Sequence, residues 1–153
     1  MSRAEVSSPK ASPRPAATAV DGDLLFLRRF AGPLLLVARA MLAYIFLMDG
    51  WYQLTHYAEV GDYMSKNGVA PALLPLVILT QFAGGILVLV GFKTRWAALA
   101  LMGFCLLTAL FFHMSPDQVN DFYKNIAIAG GFIALATFGP GPWSLDGWRG
   151  RAG

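Results

Sequence analysis

Seven polar side chains stand in stretches that are otherwise apolar: Asp49, Gln53, His56, Gln81, His113, Lys124 and Asn125. Asp49, Gln53 and His56 fall at i, i+4 and i+7, a spacing that sets three side chains on one helix face. A histidine or lysine donor beside aromatic rings such as Tyr44, Trp51 and Phe112 suits a quinone oxygen or another small redox ligand. His56, His113 and Asp49 are also a donor set of the kind that holds zinc or iron, although their spacing is not local. A third reading is structural, a satisfied hydrogen-bonded network that fixes helix packing; passage of a solute or proton is a fourth.

The segments that carry these residues are those of a membrane protein. The chain has 153 residues, one domain at most, with 56% hydrophobic and 14% charged residues. A soluble domain carries about 25% charged residues. The deficit is local: from Asn67 to Phe92 there is no Asp, Glu, Lys or Arg. That run exceeds the roughly 20 residues needed to cross a bilayer core. A soluble bundle of buried helices is disfavoured, because its helices need a polar outer face. Four crossings are expected, at about Pro33–Leu54, Pro71–Gly91, Trp96–His113 and Phe122–Gly139. Residues 1–23 are rich in Ser, Pro and Ala and read as a disordered cytoplasmic tail. Residues 24–147 form the membrane domain, and residues 148–153 a short cytoplasmic tail. The fold class is all-α, an integral membrane four-helix bundle.

Basic residues set the orientation. Arg3, Lys10, Arg14, Arg28 and Arg29 precede the first crossing, Lys93 and Arg95 lie between the second and third, and Arg149 and Arg151 follow the fourth. The other two loops hold Lys66 and Lys124 beside Glu59, Asp62, Asp117 and Asp121. Both termini are therefore expected in the cytoplasm. This bias also accounts for the pI near 9.2 without nucleic acid as a partner. The first run is too long for a signal peptide and is interrupted by Arg39 and Asp49. Trp96, Trp143 and Trp148 at one interface and Trp51 at the other make an aromatic belt.

Charge inside a membrane costs about 2.5–3.5 kcal/mol per residue on insertion scales, so polar groups there face the protein and find partners. By topology the polar set gathers toward the outer leaflet. Arg39, about 9 Å past the start of its crossing, is expected to snorkel to cytoplasmic headgroups. Asn125 is expected to face inward and Lys124 to sit at the interface. SPDQ, Ser115–Gln118, reads as a capping box with proline at N1. Gly84, Gly85, Ala127, Gly130, Gly131 and Ala134 are read as close-approach points between helices. Cys105, the lone cysteine, is read as a small packing residue.

RAMLAYIFLMDGWYQL, QFAGGILVLVGFKTRWAALAL and KNIAIAGGFIALATFGPGPWSLDG, in this order, resemble the DoxX family of small bacterial and archaeal membrane proteins over about Leu34–Gly147. The markers are Phe-x-x-x-Gly in the first helix, Gly-Gly followed by Gly-x-x-Thr-Arg, and the Lys-Asn…Gly-Gly…Gly-Pro-Gly…Ser-Leu-Asp ending. The resemblance implies a four-helix membrane fold with both ends cytoplasmic. It also implies a link to quinone-coupled sulfur oxidation, as a subunit of a thiosulfate:quinone oxidoreductase, or to oxidative-stress complexes. Where many members have lysine and glutamate, this chain has Gln53 and Gln81. If those positions face each other, an ion pair has become an amide pair and a titratable pair is gone.

No C-x-x-C-H, G-x-G-x-x-G or cysteine set is present, so there is no self-contained catalytic motif. The expectation is a cytoplasmic (inner) membrane subunit or accessory of a redox system. It would be quinone-linked, in contact with the lipid bilayer, with other membrane or peripheral redox subunits, or with further copies of itself. The alternatives are a non-catalytic structural or assembly protein and a small-solute carrier.

Overall fold

The computed structural model describes residues 19–150. Most of the expected N-terminal tail and the last three residues lie outside the described residues. Among the described residues every regular element is a helix: α1 Ala19–Thr55, α2 Tyr57–Lys66, α3 Leu74–Val90, α4 Thr94–Phe112, α5 Val119–Phe138 and α6 Leu145–Arg149. Single 3-10 turns at Pro71–Leu73 and Pro116–Gln118 lead into α3 and α5.

Three segments are long and apolar enough to cross a membrane: Arg29–Thr55, Pro71–Val90 and Thr94–Phe112. They match the first three expected crossings. The fourth long helix, α5, has 20 residues, but Asp121, Lys124 and Asn125 in its first turns keep it out of that set. α1 has 37 residues, roughly 55 Å at 1.5 Å per residue, so it outruns a bilayer core of about 30 Å. Large apolar side chains such as Met41, Leu79, Leu110, Phe111 and Ile133 stay exposed on the helix surfaces. In water such a surface would aggregate; in lipid it costs nothing.

Helix ends follow local chemistry. Gly91 terminates α3 at φ 73, with Phe92 N–H donating to Leu87 O at 3.0 Å and Gly91 N–H to Val88 O at 3.2 Å, a Schellman arrangement. Ala70 is extended before Pro71, as a residue preceding proline must be. Ser115 does not cap α5. Its side chain makes no cap hydrogen bond, and Gln118, which the capping box requires, is engaged by His113 and Tyr63 instead.

α1 packs along α3 and α4 along α5, with α3 against α4 joining the two pairs. Ala43 and Phe46 of α1, Leu101 and Cys105 of α4, and Phe132 and Leu135 of α5 lie in the central core. Cys105 is a buried packing residue. Gly84 is needed for this contact: a Cβ there would sit 2.8 Å from Leu101 Cδ2. Gly85 and Gly131 play the same part against Leu47 and Leu42, whereas Gly130 faces open space, and Ala127 and Ala134 are exposed.

A latch holds the α3–α4 corner. After α5 the chain turns through Gly139 and Gly141, both at positive φ, and folds back. Asp146 N–H donates to Gly91 O at 2.8 Å. Its carboxylate accepts from Lys93 N–H (2.9 Å), Thr94 N–H (2.9 Å) and Thr94 Oγ1 (3.0 Å). Partial burial alone would raise the Asp146 pKa. The Thr94 and Lys93 donors and the Arg149 charge together outweigh it and hold the group below the ordinary carboxylate value. Arg149 lies over the Phe92 ring, 5.1 Å from its centre.

The latch also corrects the expectation for Arg39. Its side chain is wholly buried, not snorkelled, and donates to Leu89 O and Trp143 O. The end of α3 and the returning C-terminal segment close over the guanidinium and supply carbonyls to its two terminal nitrogens, while Nε is buried without a partner.

Candidate functional site

At the end of the bundle away from the latch the helices part around a cavity of about 460 Å³, within the roughly 300–1,000 Å³ range of ligand pockets. α1 contributes Asp49 and Gln53, α3 contributes Gln81, α4 ends on Phe112 and His113, and α5 brings Asp121, Lys124 and Asn125. α2 lies across it with Val60, Tyr63 and Met64. Of the seven polar residues singled out in the sequence, all but His56 line this space; of the aromatics named with them Phe112 does, whereas Tyr44 and Trp51 are exposed elsewhere.

The two glutamines are its least satisfied groups. Gln81 is 2% exposed, and its Oε1 has no hydrogen-bond partner; Gln53 Oε1 is likewise buried and unpartnered. The expected amide pair is thus not formed. Both side chains reach the same cavity wall, but neither carbonyl accepts from the other. A buried acceptor left unpaired costs about 1–3 kcal/mol, so these two are the strongest sign that something else belongs there.

The other polar groups are partly engaged. His113 Nδ1 lies 2.6 Å from Gln118 Oε1. With that oxygen accepting, Nδ1 is the donor. Tyr63 OH approaches the same Gln118 oxygen at 3.4 Å, and its ring stacks on Phe112 at 5.5 Å, fastening α2 over the cavity. Asn125 is half-buried and donates to Asp121 O at 3.0 Å. Lys124 is exposed and pairs with Asp121 at 2.5 Å. Both partners are well solvated, so this pair adds little stability. Asp49 lines the cavity with an accessible side chain.

His56 goes elsewhere because α1 stops at Thr55. The backbone at His56 (φ −117, ψ 38) leaves the helix, and the i+7 register from Asp49 ends with it. Its ring stacks on Tyr52 at 4.2 Å, and Nδ1 lies 3.1 Å from Tyr52 O. His56, His113 and Asp49 therefore do not form a metal set. Among the described residues no group of three His, Cys, Asp or Glu side chains is placed to hold an ion.

α2 was missed in the sequence because its stretch reads as a loop between crossings. Val60 and Met64, four apart on YAEVGDYM with Gly61 between them, were the available signal of an amphipathic turn, and they pack with Leu74 and Ile78. The arrangement suits binding: apolar and aromatic walls, a few convergent amide, imidazole and carboxylate groups, and no thiol, since Cys105 does not line the cavity.

The family model described as DoxX matches residues 34–114, from α1 to the end of α4. The chain is similar to inner membrane protein YqjF of Escherichia coli (strain K12), 47% identical over 114 residues, which cover 72% of this chain and 88% of that protein. It is also similar to inner membrane protein YphA of the same organism, 33% identical over 124 residues, 74% of this chain and 88% of that protein. No solved structure matches.

Proposed function

The chain belongs to the DoxX family, and from that footing we propose that it is an integral inner-membrane protein whose cavity holds a quinone or quinol for a larger redox system. One observation carries the ligand: Gln53 and Gln81 line one cavity, and their buried Oε1 atoms have no partner. Quinol hydroxyls would donate to them. Turned end for end, the same amides would donate to quinone carbonyls. An amide pair thus serves both oxidation states with no change of charge, which a lysine–glutamate pair would not do. The chain holds and orients the ligand, and electrons pass to or from a partner subunit.

Extraction of the purified protein with organic solvent, followed by chromatography, is expected to yield about one quinone per chain, a site filled at concentrations well above its Kd. An empty protein that also takes up no added decylubiquinone would overturn the reading in favour of an assembly role.

The proposed topology is four crossings, with α5 as the fourth and both ends cytoplasmic. It is supported by the basic residues at the latch end, Lys93, Arg95 and Arg149, and by exposed Trp96, Trp143 and Trp148 beside them. Cysteines introduced at Lys10 and Arg151 are expected to react with an impermeant maleimide only in inside-out vesicles. Labelling of either in intact spheroplasts sinks the orientation.

A further inference from the structure

We infer that the cavity is entered sideways from the lipid, and that its ligand carries a hydrocarbon chain lying in a groove between α3 and α4. The inference rests on the quinone reading and adds to it the route and the second half of the molecule.

A groove of about 600 Å³ runs along the outer faces of these helices. Leu76, Leu99, Leu107 and Phe111 line it and are exposed. Thr80, the polar residue of α3 within it, has spent its hydroxyl on Leu76 O at 2.8 Å. Apart from Thr108, the groove therefore offers hydrocarbon to hydrocarbon. At Gly103 a Cβ would meet nothing within 4 Å, so the groove is open at that point.

Groove and cavity share a wall. Val69, Leu73, Val77, Phe104, Thr108 and Phe112 line both. These side chains come from α4, from α3 and from the segment leading into it. The partition is therefore a seam between elements. Leu73 in this seam is exposed, and an exposed side chain changes rotamer without moving a helix. Beyond the seam stand Gln53 and Gln81. Together the two spaces match a molecule with a polar ring and an apolar chain.

Lipid is as apolar as the groove, so a chain moving from one to the other gains little. The groove supplies room, and removing that room is the test. Decylubiquinone and the same dimethoxy-methyl ring without its chain are titrated against the full chain in lipid nanodiscs. Gly103→Trp is expected to weaken decylubiquinone binding at least about tenfold and to leave the bare ring within about twofold. Ala100→Phe, on the same groove, is expected to act alike and carries the comparison if Gly103→Trp unfolds. Gly130→Trp, in open space on α5 and outside both spaces, is expected to change neither ligand. If both groove variants weaken the two ligands equally, or neither, the lateral route is wrong while the quinone site stands. If neither ligand binds the unaltered protein, the quinone reading falls and takes this inference with it.

Discussion

Gln81→Leu is expected to give a protein that is more stable when empty and no longer holds its ligand. Gln81 is almost fully buried, and its carbonyl oxygen has no partner, so the folded empty state bears the desolvation of an amide without the matching hydrogen bond. Leucine has a similar volume and suits a wall that already contains Phe46, Val77 and Ile128. The expected gain is about 1–3 kcal/mol, or roughly 2–4 °C in Tm per kcal/mol for a chain of this length. Quinone content in the same preparation is expected to drop at least about tenfold, because one good hydrogen bond with its desolvated partner is worth about that much. The two readouts separate the leading readings. In a satisfied packing network the substitution lowers stability. In a binding site that keeps an acceptor for its ligand, it raises stability and empties the site. A lower melting temperature in ligand-free Gln81→Leu protein would return the cavity to a purely structural role.

Arg39→Met is expected to be the most destabilising single substitution at the latch. Arg39 is fully buried and forks between Leu89 O on α3 and Trp143 O, which lies 104 residues along the chain. Methionine keeps much of the aliphatic bulk and leaves both carbonyls without a donor. Hydrogen bonds to charged groups contribute about 1.5–3 kcal/mol each, so a loss of about 3 kcal/mol or more is expected. Arg39→Lys is expected to fall between, since one ammonium does not reproduce a planar fork spanning two segments. Thermal unfolding gives the magnitude. Proteolysis within residues 141–149 tells whether the C-terminal segment has come off Gly91, Lys93 and Thr94. If Arg39→Met melts within a degree of the unaltered protein with that segment still protected, the guanidinium does not hold the corner.

These two residues mark where reading the chain stops. The apolar run without charge from Asn67 to Phe92 left one outcome, because a backbone in lipid must satisfy its own hydrogen bonds and a helix does so locally. Gly91 and Gly139 ended their helices where positive φ was needed. The same logic found Gln53, Gln81, His113 and Asn125 as groups that avoid lipid, and they do meet at one end of the bundle. Where each polar group found its partner was not written locally. His56 left the shared face because α1 ends one residue earlier. Arg39 turned inward because a carbonyl from the far end of the chain arrives over it. The glutamines line one cavity without bonding to each other. Helix formation is a property of neighbours in sequence, and the residues of the chain were enough to place it. Partnership between side chains depends on how whole helices rotate and cross, and that is resolved when the packed bundle settles all its contacts together.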